Sequence, residues 1–124
     1  MIAIKEIAFT GYPVTDMVRA RAFYEGVIGL KPSMTFEHKG HEWIEYEIGS
    51  GTLALSNMNA DQWKPSDNGP AVALEIVDFN AAVAVLRAAK VPFAAGPVDT
   101  GVCHMAVVSD PDGNKVCFHK MHPH

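Results

Sequence analysis

The chain has 124 residues, of which 48% are hydrophobic and 19% are charged. This ordinary composition excludes a disordered or collagen-like chain, and the length suits one compact domain or two small half-domains. Fourteen acidic and ten basic residues give a formal net charge of −4. Because no basic run accompanies that charge, we do not expect a nucleic-acid partner.

Further features of the sequence indicate the cellular location that we expect for the protein. No apolar run approaches the ~18 residues of a membrane-spanning helix, so we expect no membrane association. The N-terminus lacks the basic start and long apolar stretch of a signal peptide. Two cysteines do not make a disulfide framework, so a reducing cytoplasm is the expected location.

The first half of the chain predicts a strand, a helix and three further strands. In chain order these are strand 4–11, helix 17–27, and strands 33–37, 41–48 and 52–57. Asp16 is a suitable N-cap for the helix, and Gly26, Gly29 and Pro32 mark its end. A polar, turn-rich segment at 58–70 follows and is predicted to be a linker.

The second half repeats the same order of elements. It predicts strand 71–77, a helix over about 80–89, a short strand 93–95, and strands 102–109 and 115–120. Asp78 is the second N-cap, and the turn signal Asp110-Pro111-Asp112-Gly113 separates the last two strands. The sequence therefore predicts an α+β fold of two βαβββ modules, residues 1–57 and 71–124. Right-handed crossovers place both helices on one face of each sheet, and two sheets curving around a shared cavity would cover the other faces.

Several segments resemble the vicinal oxygen chelate superfamily, which includes glyoxalases, bleomycin resistance proteins and extradiol dioxygenases. The matching segments are Val14-Thr15-Asp16, Arg21-Ala22-Phe23-Tyr24 with Gly29-Leu30, Leu74-Glu75-Ile76 with Asp78, and Ser109-Asp110-Pro111-Asp112-Gly113-Asn114. The resemblance covers nearly the whole chain and implies the two-module fold, a small-molecule ligand, and either a monomer or a homodimer. Dimers are the commonest small oligomer, so we expect a homodimer. Because the superfamily uses one scaffold for many different reactions, the resemblance says little about the activity of this chain.

The same resemblance implies four metal-ligand positions, on the first and last strands of each module. In this chain they correspond to Phe9, to Ala54 (or Ser56 if the register slips), to Ala71 and to Cys117. Phenyl and methyl groups cannot coordinate a cation, and one thiol is a poor site for a metal that prefers oxygen and imidazole. We therefore expect no cofactor at the usual positions.

Strand periodicity then predicts which side chains line the cavity. If the four positions face inward, alternation adds Trp43, Glu45, Glu47, Glu75 and His119 to the same face. An indole beside carboxylates suits a flat or cationic organic ligand, although the acids equally suit a solvated strand. The predicted ligand-binding set is Phe9, Trp43, Glu47, Ala54, Ser56, Ala71, Cys117 and His119.

A displaced metal site is the alternative. Parallel pairing of Ala71 with Cys117 would bring His119 beside Ala73, and a four-residue turn at 110–113 would place His104 opposite His119. Glu75, one step from Ala73, would then complete a two-histidine, one-carboxylate cluster. A one-residue slip in the hairpin would send His104 to the other face.

Three functions remain open at this stage. The first is a metal-independent protein that binds a small organic molecule. The second is a glyoxalase-like lyase or a dioxygenase that uses the displaced metal, or Glu75 or Glu45 as an acid–base catalyst. The third is a resistance protein that sequesters a drug without changing it.

Overall fold

The computed structural model describes residues 1–123, so the last residue of the predicted second module, His124, lies outside the described residues. The first module contains β1 (Thr10–Pro13), α1 (Met17–Arg21), which continues as a π-helical segment (Ala22–Val27), β2 (Pro32–His38), β3 (His41–Ile48) and β4 (Gly51–Ser56). The second contains β5 (Val72–Glu75), α2 (Phe79–Ala88), β6 (Phe93–Asp99), β7 (Cys103–Ser109) and β8 (Lys115–Met121). This order confirms the predicted repeat.

Each module forms one four-stranded mixed sheet. Sheet 1 has the order β1-β4-β3-β2, and sheet 2 has the equivalent order β5-β8-β7-β6. In both, the first strand pairs in parallel with the last strand of its module, and the other neighbours are antiparallel. The two-module α+β fold is therefore confirmed.

The first helix begins at Met17 as predicted and the second at Phe79, one residue before its predicted start, and each is capped by the predicted aspartate. The Asp16 carboxylate accepts a hydrogen bond from the amide of Arg19 at 3.1 Å. The Asp78 carboxylate does the same for Ala81 at 3.0 Å. Each bond satisfies an amide that has no partner inside the helix.

The helix-covered faces of the two sheets contribute to one hydrophobic core. Alternate residues of β3 and β4 pack there with Phe23 and Tyr24, and Leu74, Val108, Val116 and Phe118 join them from the second module. We call the opposite face of each sheet its open face. Among the described residues no helix is long and apolar enough to cross a membrane.

The segments that carry the family resemblance bind one another across the module boundary. Buried Asp110 accepts a hydrogen bond from the Tyr24 hydroxyl at 2.8 Å and a second from the Asn114 side-chain amide at 3.0 Å. That amide also donates to the Pro13 carbonyl at 2.8 Å. Burial, reinforced by the Asp110 carboxylate, raises the pKa of Tyr24 well above its ordinary value, which keeps the phenol a neutral donor. These residues therefore stabilise the fold, and they do not indicate which activity the protein has.

The predicted N-terminal strand is shorter than expected. The prediction spans residues 4–11, but pairing begins at Thr10, opposite Leu53. Since β4 begins at Gly51, it has no residues left to pair with the chain before residue 8. The preceding apolar side chains Ile2, Ile4 and Ile7 are consequently 86%, 81% and 81% exposed.

Candidate functional site

The predicted cavity residues of the first module do share one face. In the register of β3 and β4, Trp43 lies opposite Ser56 and Glu45 lies opposite Ala54. The residues between them face the core, where Ile44, Tyr46, Leu53 and Leu55 are at most 1% exposed. The open face of sheet 1 therefore carries the predicted set Trp43, Glu45, Glu47, Ala54 and Ser56.

Three aromatic rings form a cluster on this open face. Phe9 meets Trp43 edge-on, with ring centroids 5.0 Å apart and an interplanar angle of 89°. Trp63, from the linker between β4 and β5, lies 6.5 Å from Trp43 at an angle of 31°. We call Phe9, Trp43 and Trp63 the aromatic cluster. It presents π surface to solvent, since Phe9 remains 46% exposed.

The linker ring can reach the sheet because a glycine lies beneath it. A Cβ built on Gly11 would lie 3.1 Å from the Trp63 ring, closer than nearly all ordinary contacts of this kind. The sequence predicts that Trp63, in the linker at 58–70, anchors that segment or covers a cavity opening, but it does not identify Gly11 as the contact. The signal was the absence of a side chain at an inward position of β1.

Carboxylates accompany the aromatic cluster. Glu45 accepts a hydrogen bond from the Trp43 indole at 2.8 Å, which fixes the orientation of the ring. Glu47 continues the same face and is exposed. The face therefore combines stacking surface with negative charge.

A groove of about 690 Å³ runs along the junction between the modules, between β1 and β4 on one side and β5 on the other. Thr52 and Ala73 line it from the two sheets, and Glu75 lies at its edge. A second groove of about 290 Å³ lies under the linker and includes Gly11, Trp63 and Ala71. The volume of the first groove lies within the range of about 300–1,000 Å³ that is typical of small-ligand sites, and the volume of the second lies at its lower limit.

The four family ligand positions do not offer a set of metal donors. Phe9, Ala54 and Ala71 carry no donor atom, and burial raises the pKa of the Cys117 thiol, which disfavours the thiolate that binds metals. The alternative Ser56 hydroxyl is engaged, because it donates to the Glu42 carbonyl at 2.9 Å and accepts from the Met58 amide at 3.0 Å. The residues present at these positions do not fit the family's metal.

Glu75 and His119 meet on the open face of sheet 2. They are register partners of β5 and β8, and the Glu75 carboxylate lies 2.5 Å from His119 Nδ1. The sequence placed His119 beside Ala73; the register instead puts Cys117 there, two residues away, and so brings the acid and the imidazole side by side. Hydrogen bonds from the Met121 amide and then from His119 lower the pKa of Glu75, so its carboxylate stays ionised.

The predicted third member of this cluster, His104, is on the wrong face. It lies opposite Lys120, and Met105 takes the predicted place opposite His119. The reason is the hairpin: Ser109 pairs with Lys115, so the loop contains residues 110–114 and not the four predicted. One extra residue reverses which face each β7 side chain occupies.

The comparisons with known proteins agree with this architecture. The model of the Glyoxalase/Bleomycin resistance protein/Dioxygenase superfamily matches residues 6–118. The chain belongs to this superfamily. Its vicinal oxygen chelate modules are the two βαβββ repeats described above.

Relatives within the superfamily carry different functional names. A lactoylglutathione lyase of Haemophilus influenzae is 29% identical over 122 residues, covering 91% of this chain and 90% of the enzyme. A probable lactoylglutathione lyase of Vibrio parahaemolyticus is 32% identical over 116 residues, covering 86% and 84%. The solved structure of TnmS3, an antibiotic binding protein of Streptomyces sp. CB03234, superposes with a TM-score of 0.77 at 23% identity, covering 98% and 100%. This last likeness concerns the fold alone.

Proposed function

We propose that this protein binds a small, flat organic molecule on its open face, without a metal at the family's ligand positions. The observation that carries the proposal is the aromatic cluster. One of its members, Phe9, occupies the position that corresponds to the family's first metal ligand. A ring there can stack on a ligand but cannot coordinate a cation.

Charge narrows the ligand class further. Glu45 accepts a hydrogen bond from the Trp43 indole, and Glu47 is exposed on the same face of the strand. A cationic aromatic molecule would gain stacking, cation–π attraction and charge complementarity together. The net charge of −4 acts in the same direction at longer range.

We propose sequestration of such a molecule as the biological role, ahead of its conversion. The superfamily's description includes bleomycin resistance, and TnmS3 is an antibiotic binding protein on the same fold. The cytoplasm is the proposed location, because Cys103 and Cys117 are both unpaired thiols.

Proflavine, a flat cationic dye, provides a direct test. The wild-type chain is expected to bind it in buffer with EDTA, and Trp43→Ala to weaken binding about tenfold, because stacking on one aromatic side chain contributes about 1–3 kcal/mol. Glu47→Gln should weaken proflavine binding. The matched control is Glu37→Gln, because Glu37 is also exposed but lies on the face of sheet 1 opposite the open face. Equal affinity in the wild type and in Trp43→Ala would contradict the proposed site.

We further propose that a second copy of the chain covers the open faces. Every residue of β2 is exposed, including the apolar side chains Met34 and Phe36 at 45% and 54%. The unpaired N-terminal residues add Ile2 and Ile4 to the exposed apolar surface. Sedimentation should give a dimer for the wild type and a monomer for Phe36→Glu; a monomeric wild type at about 100 μM would contradict this assembly.

Proton transfer is the second candidate function, favoured by the contact between Glu75 and His119. An ionised carboxylate that orients an imidazole is a common arrangement for a general base. In this alternative His119 moves the proton and Glu75 positions it. A lyase activity that His119→Ala removes and Glu75→Gln reduces would support it, and turnover equal in all three proteins would exclude the pair.

A further inference from the structure

Three possible metal ligands, Asp99, His104 and His122, lie close together at one end of sheet 2, away from the aromatic cluster. His122 Nε2 lies 2.8 Å from one carboxylate oxygen of Asp99, and His104 Nε2 lies 3.9 Å from the other. One donor atom from each residue lies within 4.8 Å of the other two. The two imidazole rings are 4.6 Å apart between centroids.

Separate backbone segments hold the three side chains in place. Asp99 ends β6 and is the register partner of His104 in β7. His122 follows β8, and its amide donates to the Val102 carbonyl at 3.0 Å. The Asp99 carboxylate also accepts from the Gly101 amide at 2.8 Å.

An aromatic contact orients one of the imidazoles. Phe79, at the start of α2, stacks on His104 with centroids 5.2 Å apart and an angle of 28°. Phe79 also packs against buried Ala106, two residues along β7. His104 therefore lies on the helix side of the sheet, away from the family's ligand positions, with its ring supported by a buried residue.

We propose that Asp99, His104 and His122 form a Zn²⁺ site. With bonds of about 2.0–2.2 Å, two ligands of a tetrahedral zinc lie roughly 3.4 Å apart. The observed separations are 2.8 and 3.9 Å to the two different carboxylate oxygens of Asp99, and one donor atom from each residue lies within 4.8 Å of the other two. Modest side-chain adjustments would therefore bring the three donors to that spacing.

The chemistry of the three donors suits such an ion. Two imidazoles and one carboxylate match zinc and similar divalent transition metals, and they are a poor match for calcium or magnesium. Side-chain exposures of 38%, 52% and 33% for His104, Asp99 and His122 leave the fourth position to water or to a small ligand.

The site would connect three parts of the second module. Zinc bound there would fasten the segment after β8 to the ends of β6 and β7, and binding to the folded chain alone would raise its melting temperature. This role does not depend on the proposed ligand site, which lies on the open face of sheet 1.

Titration of the EDTA-treated and desalted full chain with Zn²⁺ tests the site. We expect one ion per chain by calorimetry, and Co²⁺ in its place should give the visible absorption bands of a four-coordinate ion. His104→Ala and the conservative Asp99→Asn should each weaken Zn²⁺ binding at least tenfold, with circular dichroism confirming that both variants are folded.

Matched controls separate this site from general histidine binding. His41→Ala removes an exposed histidine of β3 and should leave the Zn²⁺ affinity unchanged, as should Trp43→Ala in the proposed ligand site. The sequence places another histidine, His124, close after His122. Loss of binding in His124→Ala with wild-type affinity in His104→Ala would overturn the proposal, and so would the absence of stoichiometric binding at 100 μM Zn²⁺.

Discussion

Tyr24 and Asp110 come from different modules, and their hydrogen bond is fully enclosed. Tyr24 is 0% and Asp110 is 5% exposed. Tyr46 makes a bond of the same length, 2.8 Å, to Glu25, but the Glu25 side chain is 25% exposed. Water can therefore replace the second phenol and not the first.

Replacement of these tyrosines by phenylalanine should separate the two environments. We expect Tyr24→Phe to lower the free energy of unfolding by about 1.5–3 kcal/mol, because it deprives a buried carboxylate of a donor. Tyr46→Phe should cost about 1 kcal/mol or less for the reason just given. Urea unfolding monitored by circular dichroism measures both. Equal losses would show that burial of the acceptor does not decide the effect.

Glu25 should make a measurable contribution to the acid limb of stability. The hydrogen bonds that the Glu25 carboxylate accepts from Arg21 and then from Tyr46 lower its pKa below the ordinary value of 4.5. A lowered folded-state pKa stabilises the fold above the unfolded-state value, and the stabilisation disappears as pH falls through the folded-state value. The free energy of unfolding of Glu25→Gln should therefore fall below that of the wild type at pH 7 and approach it towards about pH 3.

Urea unfolding at a series of pH values checks this pattern, with the exposed Glu37→Gln as the control. A difference between wild type and Glu25→Gln that is constant from pH 7 to pH 3 would contradict it.

Helix α2 is short, spanning only Phe79–Ala88, so we expect its N-cap to make a large contribution to its stability. Asp78→Ala should lower the free energy of unfolding by about 1 kcal/mol, because the amide of Ala81 loses its acceptor. Asp61→Ala, an exposed position in the linker, should change stability by about 0.5 kcal/mol or less. Thermal unfolding compares them, and equal effects would mean that the cap does not stabilise the helix.

The sequence predicted the elements well because their signals are local. Asp16 and Asp78 marked the helix starts, and alternation in β3 correctly separated Trp43 and Glu45 from Ile44 and Tyr46. These features depend on neighbours within a few residues. They were sufficient to recover both modules and the open face of sheet 1.

Pairings between elements were harder to predict because a single residue decides them. One extra residue in the loop before Lys115 moved His104 to the helix side, and a two-residue change in the parallel register brought Glu75 to His119. The contact between Gly11 and Trp63 joins β1 to a linker without periodicity. The association of His104 with Asp99 and His122 likewise depends on where three strands end.

The two modules share one core, and in the described residues part of each open face remains exposed. Exposed strand β2, the N-terminal isoleucines and the aromatic cluster all lie on surface that a single chain does not bury. We propose that a ligand and a second copy of the chain cover that surface together. The fold is that of the superfamily, and we propose that the positions corresponding to its metal ligands serve stacking in place of coordination.

A single titration can test the proposal that ligand binding needs no metal. Proflavine binding is measured by fluorescence for the His104→Ala chain, first in EDTA and then after loading with Zn²⁺ or Ni²⁺; this variant removes the proposed zinc site from the comparison. We expect dissociation constants that agree within about twofold and no lactoylglutathione lyase activity under either condition. Proflavine binding that requires the metal, or lyase activity that the metal restores, would contradict it.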